Sequence, residues 1–525
     1  MKMKKVLTVC LAVMIAVSSF AGCGKKQEVA EKQESKDTYT YWSPIQGQLM
    51  TVYRSLAEVS MYKELEKKTG KKIEFLHPSA TDEAEQFNLM IASKKLPDMI
   101  EYNWRVYPGG LTKAISDGII VPLNDYEKEI PNYLKRLKED EVFEKAAKTD
   151  NGDYFGFVSL NIGNYFNFCG FMLRQDWLED LNLSVPETIS DWENVLTEFK
   201  TKKGAKAPLT DMKRLFEPTN SNNALSGGFG IAKGLYTDNG KVKYGPMEPE
   251  HKEYVETMRR WYKNGLIDKD FQTNTSNITE AKITSGESGA VFGSVGSSMG
   301  VYLEKMKNDP NYKLVAAPYP VRNKGEGSYF KYSKMTGAVD TPYLCITTQC
   351  SDIKGAAEWA DNLYSDEGYM LMNFGIEGED YNMVDGYPKY TDKILKSPSG
   401  LSISEALMRV CRAPYTSPGI NQAPEYLEQF YQYDCQKEAL EIWERYPDDY
   451  KKGFLPPITY SSDESDEISS IESEIQTYVE ENVVKFITGD KDMSEYDGFI
   501  EDMKSLGVER YIEITQSAYD RYLKR

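Results

Sequence analysis

The alternation of short apolar strands with helices between residues 39 and 118 constrains the fold of this chain most strongly. Apolar runs at residues 39–42, 72–75 and 98–101 predict three strands, and the segments between them carry apolar side chains at helical spacing. Strands that alternate with helices form a parallel sheet, and ligands of such sheets bind beyond the carboxyl ends of the strands. The sequence therefore predicts an α/β fold with a ligand site where these strands end.

Two loops at these predicted strand ends carry large aromatic side chains beside polar ones. Aromatic faces pack on the C–H surface of a sugar ring, while amide, hydroxyl and guanidinium groups bond its hydroxyls. The ligand-binding residues predicted in the two loops are Trp42, Ser43, Gln46, Gln48, Asn103, Trp104 and Arg105. The alternative for Trp104 is that it packs against a neighbouring helix.

The length, the net charge and the histidine and cysteine content of the chain exclude several classes of function. With 525 residues the chain exceeds a single core, which predicts two lobes, and its net charge of −18 makes nucleic acid a poor partner. His77 and His251 are the only histidines, and the cysteines form no C-x-x-C pair. We therefore predict no metal centre, no cofactor and no Ser–His–Asp triad.

The N-terminus predicts the compartment. A lysine-rich start is followed by an apolar run at residues 6–17, which is too short to span a bilayer. Ala21 and Gly22 precede Cys23, which resembles a bacterial lipobox except for Phe20, where an aliphatic residue is usual. We expect residues 1–22 to be a signal peptide, Cys23 to carry a lipid, and residues 23–38 to be a tether without a fold of its own. The alternative is an ordinary cleaved signal peptide.

Later segments extend this pattern. Trp192 and Trp261 lie at helical spacing among apolar residues and are predicted to be core. The small-sided stretch at residues 283–298 is predicted to cross between the lobes. The C-terminus is predicted to be helical, with one long helix that ends at Gly489.

Taken in order, these residues resemble the substrate-binding lipoproteins of bacterial ABC importers for oligosaccharides. The resemblance runs over nearly all of the chain after the signal peptide. Its motifs are Cys23 and residues 96–98, 173–178, 261–268, 364–368, 373–378, 475–479 and 485–489. Each motif is loose by itself, whereas their common order is specific to the family.

The resemblance implies a two-lobed periplasmic-binding-protein type II fold with three interlobe crossings and a helical C-terminus. The implied bounds are 39–158 with 293–365 for the first lobe, and 159–292 with 366–525 for the second. It also implies further ligand-binding residues: Asn161, Asn164, Tyr165, Asn220, Asn223, Ser294, Ser297 and Tyr460. The calcium loop of some family members has no counterpart after residue 178, and Asp268-Lys-Asp270 lacks the glycine of a calcium loop.

The leading hypothesis is a monomeric protein, held by a lipid on Cys23 at the outer face of the cell membrane, without enzymatic activity. It would capture an oligosaccharide by closure of two lobes and deliver it to the transmembrane subunits of an ABC permease. One alternative is the same fold with a peptide or another solute as ligand. The other is a surface polysaccharide hydrolase or lyase, which would need a carboxylate pair such as Glu377 and Glu379.

Overall fold

The computed structural model describes residues 35–45, 50, 52–79, 81–162, 167–217, 223–329, 339–399, 401–414, 417–445 and 455–525. Its strands are β1 (Thr38–Trp42), β2 (Lys72–Leu76), β3 (Met99–Tyr102), β4 (Phe157–Asn161), β5 (Cys169–Arg174), β6 (Leu209–Thr210), β7 (Leu235–Asp238), β8 (Lys241–Tyr244), β9 (Ala290–Ser294), β10 (Leu314–Ala317), β11 (Val339–Ile346), β12 (Tyr381–Val384), β13 (Tyr387–Tyr390) and β14 (Gly419–Asn421). The predicted α/β class is confirmed.

Helices separate and cover these strands. The helices are α1 (Ser60–Thr69), α2 (Glu83–Ser93), α3 (Gly110–Ser116), α4 (Pro131–Leu137), α5 (Glu141–Ala146), α6 (Gln175–Leu181), α7 (Ile189–Lys202), α8 (Glu250–Lys263), α9 (Ser276–Ser285), α10 (Val295–Gly300), α11 (Val301–Lys305), α12 (Ile353–Asp361), α13 (Asp366–Phe374), α14 (Asp392–Leu395), α15 (Ile403–Met408), α16 (Pro424–Phe430), α17 (Asp434–Trp443), α18 (Ser462–Thr488), α19 (Tyr496–Ser505) and α20 (Val508–Tyr522). The first of the two adjacent helices, α10, is a wider helical turn that leads directly into α11.

Two sheets organise the chain into two lobes. The first sheet has the strand order β14-β4-β11-β3-β1-β2, in which β11 runs antiparallel to its neighbours. The second sheet has the order β10-β5-β9-β6. Two separate hydrophobic cores accompany the sheets, one around Trp104 and Trp359 and the other around Trp192, Trp261 and Trp443. The predictions that Trp192 and Trp261 are core residues are confirmed.

The order of the strands in the two sheets differs from the predicted boundary at residue 293. The passage expected at residue 293 does not occur there, because β9 and β10 both belong to the second sheet. The glycines of that stretch serve close packing instead: a Cβ on Gly289 would lie 2.3 Å from the Phe199 ring. The chain returns to the first sheet between β10 and β11.

The segment after residue 366 also does not belong wholly to the second lobe. Leu371 and Met372 of α13 pack in the first core, and β14 pairs in parallel with β4 of the first sheet. Phe374, Tyr381 and Tyr390 pack in the second core, so this segment contributes to both lobes. After β14, α17 packs on β10 and β5 of the second lobe.

The C-terminal helices complete the second lobe. Ser461 caps α18 with Glu464 in a reciprocal capping box, and Gly489 ends the helix at φ 95°, as predicted. Ile475, Val479 and Val483 of α18 are buried. Within the described part of the chain, we find no helix long and apolar enough to cross a membrane.

An ionic contact joins the end of α20 to the first lobe. The Arg521 guanidinium donates to Asp150, which precedes β4, over 2.8 Å, and the Arg525 guanidinium donates to the same carboxylate over 2.6 Å. Arg521 also donates to Glu464 at the start of α18. This contact therefore links α20 of the second lobe to the segment that precedes β4 in the first lobe.

Candidate functional site

The carboxyl ends of β1, β3, β4 and β14 lie at one edge of the first sheet, because these strands are parallel to one another. Asn161, predicted as a ligand-binding residue, lies at this edge and is half-buried. Its amide donates to Gln422 over 3.4 Å, and Gln422 has a φ of 55°, which is unusual for a residue other than glycine. Two amide side chains therefore meet where β4 and β14 end.

Trp104 does not face this edge. Its side chain is fully buried, its indole N–H donates to the carbonyl of Ile100 over 3.2 Å, and its ring packs edge-to-face on Phe87. A ring without an exposed face cannot stack on a sugar. The prediction of a sugar platform is thus corrected in favour of its alternative, a core tryptophan.

Trp42 and Ser43 are likewise structural in this conformation. The Trp42 ring packs edge-to-face on Tyr102 at 5.4 Å, and both Trp42 and Ser43 are buried. The hydroxyl of Ser43 donates to the carbonyl of Pro44 over 3.2 Å. Burial leaves neither side chain free for a ligand, so both predictions are corrected.

His77 holds the loop after β1 and was missed by sequence reasoning. Its Nδ1 lies 2.7 Å from the carbonyl of Ser43, and its Nε2 accepts from the backbone N–H of Leu56 over 3.3 Å. Burial lowers the pKa of His77, which favours the neutral ring that this pair of bonds requires. The only signal in the sequence was that a histidine follows β2 directly.

Asn103 and Arg105 remain at the edge of the first sheet. The Asn103 carboxamide accepts from the backbone N–H of Arg105 over 3.2 Å and caps the short helical turn Trp104–Val106. Arg105 is exposed, and its guanidinium lies over the Tyr343 ring at 5.6 Å. Of these two predicted residues, Asn103 is engaged in capping the turn, whereas the charged group of Arg105 is exposed to solvent.

The second sheet also carries polar groups where the parallel strands β6 and β9 end. Ser294 caps the helical turn Val295–Gly300, and its hydroxyl lies 2.6 Å from that of Ser297, which is exposed. Both serines were predicted ligand-binding residues. Gly296 follows Ser294 without a side chain that would cover them.

Asp211 and Arg214 follow β6 directly and were not predicted. The Asp211 carboxylate accepts from the backbone N–H groups of Met212 and Phe292, and burial raises its pKa to about 7. The Nε of Arg214 lies 4.0 Å from this carboxylate, is buried, and has no hydrogen-bond partner among the described residues. With only two residues, β6 gives a weak strand signal, which is why this pair escaped notice.

Asn223 is fully buried, which corrects its prediction as a ligand contact. Its side-chain oxygen accepts from the N–H of Ser226 and the hydroxyl of Tyr254, each over 3.3 Å. The remaining predicted residues Gln46, Gln48, Asn164, Tyr165 and Asn220, together with Cys23, lie outside the described residues.

Tyr460, the last predicted residue, lines a cavity of about 260 Å³ between the hairpin β7–β8, α18 and α20. The Tyr511 hydroxyl donates to Glu472 over 2.8 Å, and burial lowers the pKa of Lys233 to about 8. The lining residues are Lys233, Gly234, Leu235, Tyr244, Leu455, Tyr460, Glu472, Gln476 and Tyr511.

This cavity lies close to the first lobe. A Cβ on Gly110, in the first turn of α3, would be 3.5 Å from the carbonyl oxygen of Tyr460. The partly exposed ring of Tyr460 with one ammonium, one carboxylate and one carboxamide gives an apolar face, donors and acceptors within one small volume, and the buried rings of Tyr244 and Tyr511 pack around it. Such a wall fits a polar ring with an apolar face.

A two-lobed α/β fold with polar groups at the carboxyl ends of its strands is that of a solute-binding protein. Residues 51–370 match the family described as bacterial extracellular solute-binding protein, and the chain belongs to this family.

Three similar proteins illustrate the range of the family. The chain is 24% identical to lipoprotein LipO of Bacillus subtilis, over 74% of this chain and 76% of the relative. It is 24% identical to the fructooligosaccharide ABC transporter substrate-binding protein FusA of Streptococcus pneumoniae, over 98% and 97% of the two chains. A solute-binding protein of Bifidobacterium longum infantis, described as HMO-binding and ABC-transporter-associated, superposes with a TM-score of 0.75 at 19% identity, over 93% of this chain and 99% of the other. The last of these comparisons concerns the fold alone.

Proposed function

We propose that this protein is the substrate-binding component of an ABC importer and that its ligand is an oligosaccharide. FusA, whose name states a fructooligosaccharide ligand, aligns with the chain over nearly its whole length, which supports the proposal. The proposed role requires binding and release, and no bond of the ligand is broken.

The tyrosine-lined cavity is the observation that carries the sugar assignment. Stacking and hydrogen bonds to hydroxyls each contribute about 1 kcal/mol net. Micromolar affinity, roughly −8 kcal/mol, therefore needs several such contacts at once. The partly exposed ring of Tyr460 and the polar groups of Lys233, Glu472 and Gln476 supply several such contacts in one place.

Closure of the lobes would add the groups at the two strand edges. Arg105 and Asn161 of the first lobe and Arg214 and Ser297 of the second lobe would reach an elongated ligand from opposite sides. A ligand that contacts both lobes binds the closed form better than the open form and shifts the population towards it. The permease would then distinguish the loaded from the empty protein by shape.

The position of the tether supports a membrane anchor that leaves the site open. The ammonium of Lys36 donates to Asp98 over 2.8 Å, and its backbone N–H donates to Asp352 over 3.0 Å. Asp98 precedes β3, so residue 36 lies at the amino ends of the strands, opposite the edge that carries the candidate site. We propose that a lipid on Cys23 holds the monomeric protein at the outer face of the cell membrane, with its ligand site directed away from the tether.

Calorimetry with purified oligosaccharides tests the proposal. A panel of fructose-, galacturonate- and glucose-based oligosaccharides is titrated into the protein without its lipid anchor. We expect at least one to bind with micromolar affinity, and Tyr460→Ala to weaken that binding at least tenfold, about 1.4 kcal/mol. Tyr387→Ala on the hairpin β12–β13, which is not among the cavity-lining residues, is the matched control and should retain the affinity.

Two outcomes would contradict the proposal. Binding of peptides but no glycan would assign the fold to another solute. The appearance of reducing ends in the glycan after incubation would indicate a hydrolase or lyase.

A further inference from the structure

Two arginines near the end of α20 bind one carboxylate of the first lobe. Asp150 lies between α5 and β4, which both pack in the first core. The Nε atoms of Arg521 and Arg525 each donate to the Asp150 carboxylate over 2.8 Å. The Arg525 guanidinium also donates to the carbonyl of Lys148 over 2.7 Å. Since the side chain of Arg525 is 2% exposed and that of Asp150 is 16% exposed, this contact between the lobes is largely shielded from water.

The same two arginines bind the residue before Tyr460. The carbonyl of Thr459 accepts from Arg521 over 3.3 Å, and the hydroxyl of Thr459 accepts from Arg525. Arg521 also donates over 2.9 Å to Glu464, which belongs to the capping box at the start of α18. The first lobe and Thr459 thus share two guanidinium groups, and each of these groups binds both only while the first lobe lies against the end of α20.

Tyr460 depends on these bonds because its segment lacks a helix or strand of its own. Residues 455–460 form neither, so their position is fixed by the bonds and contacts that individual residues make. The Tyr460 hydroxyl lies 3.2 Å from that of Thr515 on α20, and the ring is partly exposed at the cavity. Loss of the bonds to Thr459 would therefore free the backbone that carries this ring.

We propose that Asp150, in the first lobe, is a positioning residue for the ligand cavity of the second lobe. Through Arg521 and Arg525 it holds Thr459, and Thr459 keeps the ring of Tyr460 at the cavity. The cavity is complete only while the two lobes keep this contact, and a ligand in the cavity stabilises the contact in turn, because coupling between two sites is reciprocal. The effect on ligand affinity rests on the proposed function, whereas the order of the segment around Tyr460 does not.

Hydrogen exchange measured by mass spectrometry tests the positioning without a ligand. Asp150→Asn keeps the shape of the side chain but turns an N–H group towards guanidinium donors, so part of the contact is lost. A peptide that covers residues 455–461 should then exchange about tenfold faster than in wild type, since hydrogen bonds to charged groups are the stronger ones. Peptides of β9, in the second core, should exchange as in wild type. Asp153→Asn, on the same loop with Thr149 as its partner, is the matched control and should leave residues 455–461 unchanged.

Calorimetry with the oligosaccharide that binds wild type best tests whether Asp150 acts through Tyr460. Asp150→Asn should weaken the binding about fivefold, at a temperature where every variant is folded. In combination with Tyr460→Ala it should cause no loss beyond that of Tyr460→Ala alone, because a residue that only positions a ring has no effect once the ring is gone. A purely structural role of Asp150 would instead give additive losses.

Three results would overturn the proposal: wild-type exchange at residues 455–461 in Asp150→Asn, faster exchange with wild-type affinity, or additive losses in the double variant. If Asp150→Asn does not fold, Arg521→Gln, which leaves the bonds of Arg525 in place, is used in both measurements. If no oligosaccharide binds wild type, the proposed function fails, while the exchange rates still decide whether Asp150 orders the segment around Tyr460.

Discussion

At the ends of its strands the first lobe buries its two tryptophan side chains, whereas the second lobe has an arginine with unused hydrogen-bonding capacity. Trp42, Ser43 and Trp104 of the first lobe are buried, and His77 fixes the loop between them. In the second lobe, Arg214 keeps a buried N–H without an acceptor among the described residues. Under the proposed function, the first lobe would supply a rigid wall and the second lobe most of the ligand contacts.

The prediction with the largest expected effect concerns a buried ion pair that stabilises the first lobe. The carboxylate of Glu101, on β3, accepts from Arg412 over 2.7 Å and from the Tyr41 hydroxyl over 2.6 Å, and Glu101 and Arg412 are buried. Arg412→Ala would leave the Glu101 charge buried without its partner. We expect a loss of about 3–5 kcal/mol in the free energy of unfolding, measured by urea denaturation.

The control for this prediction replaces both partners. Glu101→Leu combined with Arg412→Met removes the two charges together and should be less destabilising than Arg412→Ala alone. A double variant as unstable as the single one would mean that shape, and not charge, makes this pair important.

The two histidines, one in each lobe, give the next prediction. His251, on α8, is buried with its Nδ1 2.7 Å from the Tyr496 hydroxyl and its Nε2 without a partner among the described residues. Burial lowers its pKa from 6.5 to about 3. Between these two pKa values His251 is protonated in the unfolded chain but neutral in the folded protein. Its contribution to the free energy of unfolding is therefore fully present above pH 6.5 and is lost as the pH falls, by about 3 kcal/mol at pH 4.

Urea denaturation of wild type and His251→Gln between pH 4 and pH 7 measures this effect. The variant should lose less stability on acidification than wild type, because glutamine does not titrate. Equal slopes for the two proteins would show that carboxylates alone cause the acid sensitivity. His77 has the same direction of shift and should add to the slope that remains in the variant.

Some elements of this fold could be predicted from the sequence and others could not, for physical reasons. The helix α18 and the core positions of Trp192 and Trp261 follow from periodicity over many residues. The three residues of β14 and the two of β6 are too short to show a period, so the return to the first sheet and the Asp211–Arg214 edge were missed. The polar residues around Trp104 predicted a loop, but they could not show that the Trp104 ring packs into the core.

The final prediction compares one arginine from each lobe, with the best oligosaccharide ligand as the probe. Arg105 is exposed and packs on Tyr343. A hydrogen bond from its guanidinium to a ligand competes with water, so the loss of Arg105 should cost little affinity. The side chain of Arg214 is 40% exposed, but its Nε is buried 4.0 Å from Asp211, and burial raises the pKa of that carboxyl to about 7, which leaves part of the arginine charge uncompensated at neutral pH. A ligand oxygen that accepts from such a donor gains more than one at an exposed donor, because less water competes for it.

We therefore expect Arg214→Ala to weaken binding about tenfold, or 1.4 kcal/mol, and Arg105→Ala to change it by roughly a factor of two or less. Calorimetry at pH 7 provides both affinities, and equal unfolding temperatures show that the folds are intact. The reverse order would place the main contacts in the first lobe, and the tyrosine-lined cavity would then be a minor part of the site. Equal losses would mean that the closed form brings both arginines onto the ligand, so that the contrast between the lobes exists only before the ligand binds.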